Sequence, residues 1–169
     1  MDFQVIRATR EFAFDMGYVH SYSWQKAYTG IIPDEIIKTF TPENRAKIFL
    51  DVLENPLEEY YLFKVDDRPA GIASLAKSHE KNMPNYIGEI YSIYFHPDFW
   101  GTEVTQKGFQ FCINRLKNLG FSKITIWVLN DNLRAKRFYE RNGFKLDGNS
   151  KEIEIGVKLL EVRYSKRIL

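Results

Sequence analysis

Apolar residues alternate from Phe3 to Arg7 (Phe3, Val5, with Ile6 beside them), the period of a short strand. The period then lengthens. Phe12, Met16, Val19, His20, Trp24, Ala27 and Tyr28 recur at helical spacing, and Gly30 and Pro33 end the run. Pro33-Asp34-Glu35 predicts a short second helix, because proline suits the first turn and acids suit the positive end of the helix dipole. Thr41-Pro42-Glu43 opens a third, with Ile48, Phe49, Val52 and Leu53 on one stripe. Period two returns next. Tyr60 to Val65 and Gly71 to Ala76 read as a hairpin around Asp66-Asp67-Arg68-Pro69. Residues 77–86 are polar, contain Pro84 and read as a loop. Ile87 to Phe95 is a strong strand, stopped by His96-Pro97. Thr102 to Leu119 is helical and ends at Gly120; Lys123 to Leu129 alternates as a strand. Asn132 to Arg141 is a helix with an Asn cap at its start and Asn142-Gly143 at its end. Residues 151–164 alternate once more, through Ile153, Ile155, Val157 and Leu159. The order β, α, α, α, β, β, β, α, β, α, β predicts an α+β protein with helices packed on one central sheet. No repeat or linker divides it, so residues 1–169 read as a single domain.

Composition narrows this picture. A chain of 169 residues, 44% hydrophobic and 27% charged, suits one folded core. The aromatic share is 15%, enough for a large core and also for a cleft that holds a long, thin, partly apolar ligand. With 24 basic against 22 acidic residues the net charge is +2, too balanced to expect nucleic-acid binding. Cys112 is the single cysteine, so no internal disulfide forms, and the three histidines, His20, His79 and His96, lack metal-site spacing. No metal is expected. The first residues lack the basic flank and apolar run of a signal peptide, and no apolar stretch approaches the ~18 residues of a membrane span, so a cytoplasmic protein without membrane partners is expected.

The chemistry is concentrated in residues 88–144. An apolar strand ends in Phe95-His96-Pro97, and a Trp100-Gly101 turn leads into a helix. The strand Ile124-Thr125-Ile126-Trp127-Val128 follows, then Asn132-x-x-Ala135-x-x-Phe138-Tyr139-x-x-x-Gly143-Phe144. These four signals, in this order, resemble the GCN5-related N-acetyltransferases, and the last is the most specific. His20-x-x-x-Trp24 with Tyr28-x-Gly30-Ile31-Ile32-Pro33-Asp34, and Ile155-Gly156 followed by Glu161-Val162-Arg163-Tyr164, extend the resemblance over nearly the whole chain.

The resemblance implies a mixed, mostly antiparallel sheet flanked by helices and an acetyl-coenzyme A (acetyl-CoA) co-substrate. The acceptor is then a primary amine of a small molecule or peptide, and the protein a monomer or homodimer. It implies that the strand carrying Ile93 and Phe95 diverges from its neighbour, so that its backbone pairs with the pantetheine arm as an added strand would. Trp100, Gly101, Thr102, Glu103, Val104, Thr105 and Gln106 form the turn and first helical turn that would take the pyrophosphate, where unpaired N–H groups and the positive dipole end gather. Asn132 and Phe138 would border the pantetheine. Tyr139, about two turns beyond Asn132 on one helix face, would protonate the leaving thiolate; an ordinary phenol near pKa ~10 stays protonated at neutral pH. Glu89 is the candidate general base, working through water, and the N–H near Phe95 would stabilise the oxyanion.

Two features depart from the family pattern. Glu103 stands where glycine is usual and Thr105 replaces a second small residue. A carboxylate beside a pyrophosphate is unfavourable, so weakened CoA binding is expected unless Glu103 turns to solvent or Thr102 and Thr105 offer their hydroxyls. Gly108 also occupies a place where an apolar helix residue is expected. The alternative reading is a degenerate acyl-CoA-binding or scaffolding module without turnover. Blander roles compete at single positions as well: Tyr139 and Phe138 as core aromatics, Asn132 as a helix cap, and the stripe His20, Trp24, Tyr28 as packing or as the wall of an acceptor pocket.

Overall fold

The structure, a computed structural model, describes residues 1–168. Its seven strands are β1 (Phe3–Arg7), β2 (Glu59–Val65), β3 (Arg68–Lys77), β4 (Ile87–Phe95), β5 (Lys123–Leu129), β6 (Lys145–Glu154) and β7 (Lys158–Arg167). They form one sheet in the order β1-β2-β3-β4-β5-β7-β6. Every neighbouring pair is antiparallel except β4 and β5. The five helices are α1 (Ala13–Tyr28), α2 (Asp34–Ile37), α3 (Pro42–Val52), α4 (Glu103–Asn118) and α5 (Leu133–Arg141).

Helical periodicity decides which face each helix covers. On one face, Met16 and Val19 of α1 and Phe49 of α3 bury against Tyr60, Leu62 and Ile72. On the other, Phe109, Cys112 and Leu116 of α4 and Ala135 and Tyr139 of α5 bury against Phe63, Leu75, Ile90, Ile124 and Ile126. Each such side chain contributes about 1.5–3 kcal/mol relative to exposure. Gly108 sits where α4 crosses the sheet. A Cβ there would lie 2.7 Å from the Phe95 ring and 3.0 Å from the Phe63 ring, so those aromatics fill the place of the apolar side chain expected on α4. Arg115 of α4 reaches back to Glu59 of β2 with two hydrogen bonds of 2.7 and 2.8 Å.

The C-terminal alternation is two strands where the sequence predicts one. Gly156, at φ +72°, turns the chain between β6 and β7, and Ile153 lies opposite Leu159. The alternation continues across the turn because Ile153, Ile155 and Leu159 pack against the same partners, the end of α1 and α2. The first half of β6 is an edge strand whose residues are almost all exposed, so it carries no apolar signal.

One irregularity positions the site. The register of β3 against β4 shifts between Ser74 and Leu75, where Ser74 faces Ser92 and Leu75 faces Ile90, leaving Tyr91 as the extra residue of a bulge. The parallel ladder of β4 with β5 covers only Ile87↔Lys123, Gly88↔Ile124 and Glu89↔Thr125. Beyond it the two strands have no ladder between them.

Candidate active site

The gap between β4 and β5 opens into a cavity of about 380 Å³. His96 donates to the Ala70 carbonyl, so Tyr94 and Ser92 also turn their backbone groups toward β3. Strand alternation then points the N–H and C=O of Ile93 and Phe95 into the gap. The Phe95 carbonyl is already taken by the indole N–H of Trp100 at 2.8 Å. Ile93 therefore offers both backbone groups, and Phe95 its N–H alone.

One side of the gap is closed by α5. Asn132 starts this helix by accepting from Ala135 N at 3.2 Å, and its amide nitrogen donates to the Tyr28 hydroxyl at 3.2 Å. Capping is thus part of its role, and the same amide ties α5 to α1. Two turns on, Tyr139 borders the cavity with its ring packed on Phe109, Phe144 and Tyr164. Burial pushes the Tyr139 phenol well above its ordinary pKa, so it is a proton carrier rather than a phenolate. Phe138 also borders the cavity.

The turn before α4 supplies the polar end. Gly101 has φ +74°, a conformation that favours glycine. The side chain of Thr102 caps α4 by accepting from Val104 N at 3.3 Å, and Thr102 N donates to the Phe99 carbonyl. Of the N–H groups that a helix start leaves open, those of Glu103 and Thr105 remain. The Val104 side chain is buried in the core, and Gln106 is turned away to Asn142 at 2.6 Å. The Glu103 side chain points to solvent and pairs with Lys107 at 3.2 Å. The hydroxyls of Thr102 and Thr105 donate to the carbonyls of Phe99 and Thr102, so neither is free as a donor. Positive charge comes from elsewhere. Arg134 and Arg141 of α5 border the cavity, and the Arg134 guanidinium lies 3.6 Å over the Trp100 ring. Sequence reasoning missed both arginines, because a basic residue on a helix reads as solvated surface.

The opposite face of the sheet carries Glu89. It is 5% exposed, with Thr125 donating to it at 3.4 Å, and it does not border the cavity, whose lining along β4 begins at Tyr91. Burial first, then the charge of Glu80, raise its pKa from 4.5 to about 7, opposed by Lys151, Thr125 and Arg163. The stripe on α1 divides. His20 is buried among Trp24, Phe40, Phe49 and Tyr94, and burial lowers its pKa to about 3, whereas Trp24 and Tyr28 border the cavity. Tyr91, Trp127, Ile153, Ile155 and Glu161 complete this side; Trp127, Ile155 and Glu161 stand in stretches that resemble the family, but none of the five was singled out as a site residue from the sequence.

The structure therefore gathers Ile93, Phe95, Trp100, Gly101, Thr105, Asn132, Phe138 and Tyr139 around one cavity, while the side chains of Thr102, Glu103, Val104, Gln106 and Glu89 lie outside its lining. Among the described residues no group of three or more His, Cys, Asp or Glu could hold a metal ion. No helix of the described residues is long and apolar enough to cross a membrane.

Comparison with known proteins agrees with this arrangement. An uncharacterized N-acetyltransferase of Mycobacterium bovis is 23% identical over 137 residues, covering 80% of this chain and 85% of that one. The crystal structure of the PaiA N-acetyltransferase of Thermoplasma acidophilum in complex with coenzyme A superposes with a TM-score of 0.72 at 17% identity, over 99% of each chain. YncA of Salmonella typhimurium, solved with its cofactor acetyl-CoA, gives 0.69 at 15% identity, over 99% of this chain and 94% of that one. The profile of the acetyltransferase (GNAT) family matches residues 22–144. With that match spanning most of its length, and with the split sheet and α5 beside the gap, the chain belongs to the GNAT family of acetyltransferases.

Proposed function

We propose that this protein transfers an acetyl group from acetyl-CoA to a primary amine by direct attack, without a covalent enzyme intermediate. The observation that carries the reading is the gap between β4 and β5, where unpaired backbone groups of Ile93 and Phe95 face the cavity bordered by Tyr139. The residues present fit the donor. Ile93 can hydrogen-bond the amides of the pantetheine arm in both directions, the N–H groups of Glu103 and Thr105 can meet the pyrophosphate, and Arg134 and Arg141 bring cationic charge to the same cavity. When bound, the thioester supplies the activated acyl carbon.

The rest is done by this chain. Phe95 N–H faces the gap, where it can meet negative charge growing on the acyl oxygen. Glu89, with a pKa raised to about 7, can take a proton from the acceptor through water and so free the nitrogen lone pair. The C–N bond would form as the C–S bond breaks; the Tyr139 hydroxyl would give its proton to the departing sulfur, and the second proton that the nitrogen sheds on becoming an amide would return to the Tyr139 oxygen. The exposed Glu103 carboxylate pairs with Lys107, which offsets its charge and supports the catalytic reading over the non-catalytic one.

Thiol release from acetyl-CoA with a panel of primary amines tests the proposal. Turnover above the amine-free blank is expected. No release with any amine, together with no rise in melting temperature on adding acetyl-CoA, would sink it.

A further inference from the structure

The cavity is electrically lopsided. Its basic lining residues, Arg134 and Arg141, are both on α5, and its one acidic lining residue among those described is Glu161 of β7. Glu161 lies on the sheet face that carries Trp127, Leu129 and Glu89, the face opposite the one on which Tyr139 packs. Trp24 and Tyr28 of α1 and Ile153 and Ile155 of β6 and its turn surround it with apolar and aromatic surface. An anionic donor is thus served at one end, and a single carboxylate among aromatic rings waits at the other.

A cation already tests this place. The Lys151 ammonium lies 4.2 Å from the centre of the Trp127 ring and 3.5 Å from the Glu161 carboxylate. Its side chain is 48% exposed, against 21% for Glu161, so the lysine is a loosely held occupant and the carboxylate a fixed part of the wall. Other charges on this face are spoken for. Arg163 is held by Glu80 and by Asp147, the latter at 2.6 Å, and Glu89 is buried against Thr125.

We propose that Glu161 and the face of Trp127 form the seat for the acceptor's ammonium, and that Lys151 occupies this seat until the acceptor displaces it. The acceptor class that fits is a primary amine on a slender apolar or aromatic body, entering as its cation: the ring face and the carboxylate take the charge, and Trp24 and Tyr28 take the body. An acidic acceptor is disfavoured by Glu161, and the cations on this side are already engaged, Arg163 by Glu80 and Asp147 and Lys151 by Glu161 itself. Once Lys151 swings out, Glu89 lies on the same face to receive the proton. This assignment rests on the acetyltransfer reading but is tested apart from it.

The test is a tryptophan-fluorescence titration of the protein alone, without acetyl-CoA, using phenethylamine and n-hexylamine with phenethyl alcohol as the uncharged control. Saturable binding of the amines and none of the alcohol is expected. Glu161→Gln should weaken amine binding at least about tenfold with an unchanged melting temperature, and should raise the amine KM more than it lowers kcat. Lys151→Met should tighten amine binding several-fold, an effect that a lysine serving only to brace the sheet would not give. Failure of both amines to bind, equal binding of the alcohol, or affinity unmoved by Glu161→Gln would overturn the proposal, as would weaker binding in Lys151→Met. Failure of acetyl-CoA to bind in a separate calorimetric titration would instead count against the acetyltransfer reading.

Discussion

Replacing Glu89 by Gln separates stability from activity in opposite directions. In the folded protein this carboxyl titrates at about 7, against 4.5 ordinarily, chiefly because it is buried and secondly because of Glu80. The fold therefore favours the protonated acid. Its contribution is fully present below pH 4.5 and is lost as pH rises through about 7. Above that, keeping the buried charge costs about 3 kcal/mol, from 1.36 kcal/mol for each unit of the rise. Glutamine cannot ionise, and its carbonyl can still accept from Thr125. Glu89→Gln should thus match the wild type near pH 5 and exceed it at pH 9, by roughly 6–12 °C in melting temperature for a domain of this size. Thermal unfolding monitored from pH 5 to 9 reads this directly. The same variant should lose a factor of about 10²–10⁴ in kcat/KM and, with it, the rise in rate through pH 7 that is expected of the wild type. Melting temperatures of the two proteins that run parallel across the whole pH range would refute the reasoning, because Glu89 would then titrate as an ordinary surface acid.

Other substitutions probe the remaining parts. Tyr139→Phe should lower kcat by about 10²-fold or more while acetyl-CoA affinity, measured by calorimetry, stays within a few-fold, since the ring packing survives and only the proton is lost. Arg141→Ala should weaken acetyl-CoA binding and flatten its dependence on salt concentration, leaving the amine KM alone. Gly108→Ala puts a methyl 2.7 Å from the Phe95 ring and should cost about 1–3 kcal/mol in urea unfolding, with acetyl-CoA binding disturbed as well because Phe95 faces the gap.

Much of the fold was legible because its signals are local. Thr41 and Asn132 cap their helices as their residue types predict, and β2, β3 and β4 are runs of mostly apolar residues, as strands covered on both faces are. The cavity lining at the end proposed for the donor was legible for a similar reason: Gly101, Asn132 and Tyr139 lie in short motifs whose spacing survives folding. The acceptor half was not. Trp127, Lys151 and Glu161 come together only through pairing of three strands, and each alone resembles an ordinary strand residue. The first half of β6 left no trace because an exposed edge strand has no buried side to alternate with. Glu103 shows the converse. Its mismatch with the family pattern stands out in the sequence, while the ion pair that the exposed carboxylate makes with Lys107 is visible only in the structure.

The short parallel ladder has a mechanical consequence. The ladder between β4 and β5 has three residue pairs, so the sheet that joins β5, β7 and β6 to the four strands before them carries a seam along its middle. A thioester lying in that seam would contribute rungs of its own, and hydrogen exchange of the backbone on either side should slow together when it binds. The weakest joint of the scaffold is then the place where it works, and the molecule is most rigid while it is loaded.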